Sequence, residues 1–221
     1  MGEPYHIKPP VIVIGGGGHA KVLISTLILL GRKVLGFVDP KTSLPPILGI
    51  STLGDDQAIS LHDPDKVHLV NGVGTTGISV LRRQIYQKFR KTYYNFETVI
   101  HPSAIIALDV EIADGVQIMA GAIVQPGSRL GANAIINTGV RVDHDCSIEA
   151  HAHLAPGVTL SGGVLIAEGS FVGTGASIIH GISVGPNSIV GAGAVVIRNV
   201  PAGVTVAGVP ARVMAAKNKT K

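Results

Sequence analysis

The chain has 221 residues, 46% of them apolar and 14% charged, with a formal net charge of +4. That size and balance fit a soluble globular protein of one large or two small domains, and so small a charge gives no reason to expect a nucleic-acid partner. A single cysteine rules out an internal disulfide and suits a reducing cytoplasm; with no Trp, four Phe and four Tyr against 29 glycines, the core must be narrow.

The N-terminal "MGEPYHIKPP" has no leader pattern, and His6 stands where a myristoylation signal needs Ser or Thr. "VIVIGGGGHAKVLISTLILLG" then reads as a buried strand, a glycine turn and a helix, its apolar run too short to span a bilayer. "KVLGFVDP" is a second strand ending at Asp39, "KVHLVNGVG" a third, and "RRQIYQKFRK" (82–91) a helix whose basic residues form a solvated face. The glycines, with Ala20 in the last place and an acid beyond, fit the dinucleotide fingerprint. Only a few βα units fit before residue 99, half of a Rossmann domain. Backbone amides at a helix N-terminus accept a phosphate closely, and a sugar nucleotide suits a half-site better than NAD. A strand-to-helix turn without a ligand is the plainer alternative.

From Ile100 a step of six meets Ile106, Ile112, Ile118, Val124 and Leu130, and continues without insertion to Val196. The fifth place of each hexad, from Ala104 to Val200, is small or β-branched, Cys146 included. A period of six fits neither a helix nor a flat alternating strand, so the segment is expected to wind as a parallel β-helix with three hexads to a triangular coil. First and fifth places point inward, and the Gly, Asn and Asp of the third and fourth places suit the corners.

These hexads resemble the left-handed β-helix acyltransferases, and "VAGVPARV" (206–213) is similar to the segment that closes their last coil. Together with the N-terminal half, the chain resembles the sialic acid O-acetyltransferase family, most closely its UDP-4-amino-sugar N-acetyltransferases. The resemblance implies an α/β half-Rossmann sugar-nucleotide domain over 1–98, followed by a left-handed parallel β-helix over 99–221. It also implies an acetyl-CoA-dependent, cytoplasmic homotrimer with active sites between subunits, making a bacillosamine precursor. The sugar-nucleotide site maps onto Gly17, Gly18, His19, Asp39, Pro40 and Gly74, with Pro40 replacing the second acid common in the family. Asn137 matches a polar residue near the acceptor. Acetyl-CoA contacts fall on His153, Thr174 and Ala192.

The repeat also carries "DHD" at 143–145, with His144 in the third place of its hexad and so expected on a corner. Acyl transfer to an amine needs a base near neutrality, a role that suits His144 with a carboxylate beside it. The family motif of His followed by an acid matches His144 and Asp145, and Asp143 is a rival support. Stacking by eighteen places Gly162 above His144 and His180 above that, so Gly162 is expected to leave a gap for substrate and a backbone N–H for the oxyanion. None of the five histidines of the repeat falls on an inward place, which argues against core histidines. His153 lies nine residues from His144 and so on another face; the two can share a site only across chains. Cys146, inward, is expected to be inert, with acetyl transfer direct.

Two rivals remain. One is O-acetylation of a sialic acid or related sugar by the same base. The other is a zinc hydrase on the same fold; but no metal is assigned, since two coils put His144 and His180 roughly 10 Å apart within one chain, and a third imidazole is not evident.

Overall fold

The structure is a computed structural model and describes residues 8–78 and 80–214. Residues 1–7, on which the leader expectation rests, lie outside the described residues. The chain divides into two compact units: one runs to Gly74 and includes Gln84–Val99, the other comprises Thr75–Arg83 and the chain from Ile100 onward. Among the described residues no helix is long and apolar enough to cross a membrane.

In the first unit β1 (Val11–Ile14) is buried along its whole length, as a continuous apolar run must be in the middle of a parallel sheet. It leads through the glycine turn into α1 (Gly18–Leu29) and back to β2 (Val34–Val38). Ala20, Leu23, Ile24 and Leu27 form the buried stripe of α1 at the spacing of a core-facing helix. After β3 (Thr52–Gly54) and a 3₁₀ turn (Asp56–Leu61), β4 (His68–Asn71) joins β1 on its other side. Helix α2 (Val80–Lys91) and β5 (Asn95–Phe96) follow, giving a parallel sheet of order β3-β2-β1-β4-β5. The connections from β1 depart to one side and return on the other, so the crevice at its C-terminal end is the switch point where such sheets bind ligands. The short β3, β5 and 3₁₀ turn carry too few residues for a period to reveal them.

The second unit is the expected β-helix. Two-residue strands stack in parallel register every eighteen residues, as in Ile123↔Arg141 and Arg141↔Thr159, and build three sheets of six, five and eight strands. The core is a ladder of first and fifth places, from Val116 and Ile118 to Val196; beyond it the coil is two residues shorter, so Val200, expected in a fifth place, stacks on the first-place Val184 instead. Every fourth place from 115 to 193 has a positive φ: glycine at most, but Asn133, Asp145, His151 and Asn187 at four. A left-handed residue at each corner lets the chain turn within three residues. Three fifth places are serines, and each buried hydroxyl finds a carbonyl: Ser128 that of Asp143 at 3.0 Å, Ser170 that of Gly185 at 2.7 Å, Ser188 that of Pro201 at 2.6 Å. Beyond Val196 the segment Thr205–Ala207 pairs antiparallel with Arg212–Val213 and closes the stack.

One expectation fails in α2. Its basic residues are not all on a solvated face: Arg82 is buried, its guanidinium lowered by desolvation to about 9, with Nη2 directed at the Asn133 carbonyl at 3.5 Å. Arg83 next to it pairs with Glu168 at 3.5 Å and donates to Asn187 Oδ1 at 3.1 Å. Both arginines belong to the second unit, and within it they pack against the fourth-place corner column, where Gly169 has no side chain to block Arg83.

Candidate active site

His144 occupies the corner between strands Arg141–Val142 and Ser147–Ile148. Both neighbours are carboxylates, but they do different things. Asp143 Oδ1 accepts the backbone N–H of His144 at 2.8 Å, while Asp145 Oδ2 accepts from the ring at Nδ1 at 2.7 Å. The Asp145 bond, assisted by the charges of Asp143 and Asp145, raises the His144 pKa above the usual histidine value against a smaller opposing effect of desolvation. With Nδ1–H committed to Asp145, the neutral ring presents an unprotonated Nε2. The side chain is 52% exposed, so it is open to a substrate.

Asp145 is one of the non-glycine left-handed corners, at φ 58°. Its position is shaped from the preceding coil, because a Cβ on Gly127 would meet Asp145 Oδ1 at 2.5 Å. The following coil shapes the imidazole: a Cβ on Gly162 would overlap Nε2 and Cε1. The expectation of an empty gap beside the ring is therefore corrected, since His144 itself leans over Gly162 and fills that space. The same lean overturns the 10 Å estimate. With only a glycine between them, the rings of His144 and His180 have centroids 6.3 Å apart. Among the described residues no group of three or more His, Cys, Asp or Glu side chains is placed to hold a metal ion.

Beneath this corner, Ser128 Oγ bridges the Asp143 carbonyl and the Cys146 N–H. Cys146 is buried, its thiol directed at the Ser161 carbonyl at 3.3 Å, and desolvation foremost raises its pKa.

His153 opens a strand in the middle of the eight-stranded sheet and Asn137 follows the strand paired with it, on a different side of the triangle from His144. Asn137 Nδ2 donates to His153 Nε2 at 3.2 Å while its Oδ1 accepts from the Thr138 N–H at 2.8 Å. His153 is buried although it points outward, because Phe171 on the next coil covers it edge-on with centroids 5.1 Å apart. Place in the hexad thus does not decide histidine burial. Thr174 and Ala192 belong to the same corner column as Thr138, and both are exposed. So the structure groups Asn137, expected beside the acceptor, with the residues expected at acetyl-CoA, and keeps His144, Asp145 and Gly162 on a separate corner.

In the first unit Gly17 caps α1 and Gly18 begins it, and a Cβ on either would meet nothing. Packing does not require glycine there, and its effect is to leave the helix N-terminus open. Gly74 lies against His19, where a Cβ would meet the His19 Cβ at 2.9 Å. Asp39 is occupied: Oδ2 accepts the Gly16 N–H at 2.8 Å and Oδ1 the Lys41 N–H at 2.9 Å, so it braces the glycine turn. Pro40 is exposed next to it. Gly16, Gly72 and Gly127 escaped the sequence reading. Gly127 was accessible to it, since stacking by eighteen places it under Asp145; Gly16 and Gly72 depend on the approach of Leu44, Phe37 and Ala20 from elsewhere in the chain.

A parallel β-helix with a histidine and carboxylate on an open corner defines a hexapeptide-repeat acyltransferase, and the comparisons agree. The PglD N-terminal domain profile matches residues 10–89 and the bacterial transferase hexapeptide profile (six repeats) residues 109–144. A histidine-to-asparagine mutant of perosamine N-acetyltransferase from Caulobacter crescentus, solved with CoA and GDP-perosamine, is 38% identical with a TM-score of 0.89, over 95% of this chain and 98% of that one. The acetyltransferase domain of PglB from Neisseria gonorrhoeae FA1090, in complex with acetyl coenzyme A, is 35% identical with a TM-score of 0.87, over 93% and 98%. WeeI from Acinetobacter baumannii AYE is 25% identical with a TM-score of 0.78, over 93% and 99%. The chain belongs to this family of left-handed β-helix sugar N-acetyltransferases.

Proposed function

We propose that the protein transfers the acetyl group of acetyl-CoA to the 4-amine of UDP-4-amino-4,6-dideoxy-N-acetylglucosamine, giving UDP-N,N'-diacetylbacillosamine. The observation that carries the chemistry is the His144 ring, held at Nδ1 by Asp145 and presenting Nε2 on an exposed corner. The amine nitrogen attacks the thioester carbonyl, and His144 Nε2 takes the proton that the new C–N bond makes acidic. Collapse of the tetrahedral intermediate breaks the C–S bond, and the proton leaves with the CoA thiolate. Asp145 orients the ring and stabilises the imidazolium, while the Gly162 N–H is the donor for the oxyanion. Buried Cys146 takes no part.

In this reading Gly17, Gly18, His19, Asp39, Pro40 and Gly74 serve the sugar nucleotide, with its phosphates at the open N-terminus of α1. His153, Thr174 and Ala192 serve acetyl-CoA, and Asn137 acts through His153. Because His144 and His153 face different sides of the triangle, a complete site requires two chains, which favours a homotrimer. The division of labour falls at residues 98 and 99.

A second acceptor is favoured by one observation, the 38% identity to an enzyme solved with GDP-perosamine. Release of free thiol from acetyl-CoA, measured with the UDP and GDP amino sugars in parallel, tests both. Release with neither from folded protein would reject amine acetylation of these sugars and leave sialic acid O-acetylation to be tested.

A further inference from the structure

In the first unit the 3₁₀ turn Asp56–Leu61 is tied to the end of α2 by Tyr94, whose buried hydroxyl donates to the Ile59 carbonyl at 2.9 Å and the His62 carbonyl at 2.7 Å. Between the two elements a cavity of about 590 Å³ opens, lined only by residues from 56–64 and 88–94, so it belongs wholly to this unit. The volume is in the usual range of small-molecule sites. Residues 62–64 lead toward β4 and residues 92–94 into β5, which places the cavity where these strands begin, at the opposite end of the sheet from the crevice beside the glycine turn. None of the residues read above as serving the sugar nucleotide or acetyl-CoA lines it.

The hydrogen-bond inventory of the lining is one-sided. Ser60 Oγ donates to the Gln57 carbonyl at 2.6 Å and Thr92 Oγ1 to the Phe89 carbonyl at 3.0 Å, so with Tyr94 every lining hydroxyl has spent its hydrogen within the protein and offers the cavity lone pairs alone. Asp56 and Asp63 add carboxylates, which as anions only accept. Asp63 is lightly used: Oδ1 accepts the Asp65 N–H at 3.0 Å, and Oδ2 faces Lys66 at 3.6 Å in an exposed pair of the kind that contributes little. The last turn of α2 adds the negative pole of the helix. Against these acceptors stand Gln57, His62 and the Lys88 ammonium. That ammonium shows what the site attracts. Lys88 Nζ lies 3.0 Å from Asp56 Oδ2 and 4.8 Å from the centroid of the buried Phe89 ring, which Tyr94 meets edge-on at 5.8 Å. A carboxylate beside an aromatic face is the pair of contacts that holds an organic cation.

We infer that this cavity binds a linear aliphatic polyamine, with one ammonium at Asp63, the methylene stem over Phe89 and Tyr94, and a second ammonium taking the place of Lys88 at Asp56. The two carboxylates flank the 3₁₀ turn, whose rise of about 2.0 Å per residue sets them on the order of 10 Å apart. The terminal nitrogens of extended spermidine are separated by about 11 Å. The formal net charge of +4 gives the chain as a whole no attraction for a polycation, so binding has to come from the cavity. Lys88 is then a built-in competitor, and its removal strengthens the site.

Calorimetric titration with spermidine at low ionic strength, where charge contacts are least screened, tests it on the full chain. The wild type should bind one equivalent. Asp63→Asn should weaken binding by about three- to tenfold, the worth of a charge-assisted hydrogen bond at a partly exposed site. Lys88→Gln should strengthen it by about two- to fivefold, as the loss of an exposed competing ion pair allows. Lys91→Gln removes the same charge from the same turn but outside the cavity, and should leave the affinity unchanged. Absence of binding to the wild type, an Asp63→Asn variant that binds as well, or equal gains in Lys88→Gln and Lys91→Gln would each overturn the site, the last by showing a general attraction of charge. Melting temperatures of the three variants without spermidine establish that each is folded; all three positions are exposed, so little change is expected.

Discussion

The imidazole of His144 lies over the α-carbon of Gly162, in the space where any side chain would stand. Gly162 has an ordinary backbone conformation, so alanine is tolerated by the chain but not by the ring. Gly162→Ala should leave the melting temperature close to wild type and lower kcat by about 100-fold, the scale of loss expected when a reacting group is displaced by about an ångström. Steady-state kinetics beside a thermal melt would check this, and full activity would show that the lean of the ring is immaterial.

Removing the base should act on the chemical step. His144→Ala is expected to reduce kcat by about 10² to 10⁴ with CoA affinity retained. An unimpaired His144→Ala enzyme would exclude His144 as the proton acceptor.

Asp145 acts through His144, and its signature is a pH profile. Its hydrogen bond raises the His144 pKa, so the activity of the neutral base should rise with pH along a limb lying above the ordinary histidine value. Asp145→Asn removes the largest cause of that shift while suiting the left-handed corner. The limb should move to lower pH and the plateau rate should fall, because a weaker base remains. A limb that stays in place would mean that Asp145 only shapes the corner.

Cys146→Ala should keep full turnover and cost about 1 kcal/mol of stability, as the loss of a small buried group does. An active-site titration with a thiol reagent should find no reactive group in the folded protein. Loss of activity in a folded Cys146→Ala variant would overturn direct transfer.

His151 gives the fold an acid sensitivity. Its φ is 62°, its Nδ1 accepts from Asn133 Nδ2 at 2.9 Å, and desolvation with the nearby Arg83 pushes its pKa down to about 4. The folded state thus binds this proton less readily than the unfolded state, whose histidine titrates near 6.5. The stability contributed by neutral His151 is complete above that value and is lost as pH falls toward 4. His151→Asn, which repeats the residue of Asn133 and Asn187 at the same kind of corner, removes the titration and suits the left-handed backbone. Its melting temperature should exceed that of the wild type by a margin that widens from pH 6.5 to pH 4. A constant margin would locate the acid sensitivity elsewhere.

The sequence by itself determined the β-helix, because a period of six is a covalent property: each inward residue must recur where the coil turns, and seventeen successive hexads leave one phase. The same arithmetic placed Gly162 and His180 in the column of His144 and put Cys146 in the core, while the continuous apolar run before the glycines assigned their turn to the end of a buried strand. Direction of side chains was beyond it. Which carboxylate of "DHD" bonds the imidazole depends on Asp143 turning back to a backbone N–H and Asp145 reaching forward from a left-handed corner. The burial of His153 depends on Phe171, and that of Arg82 on Asn133, partners eighteen and fifty-one residues away. The lean of His144 toward His180 requires an empty volume that a stacking rule can locate but cannot fill. Periodicity fixes where a residue stands, whereas rotamers, desolvation and pairing are decided only when neighbouring coils compete for the same space.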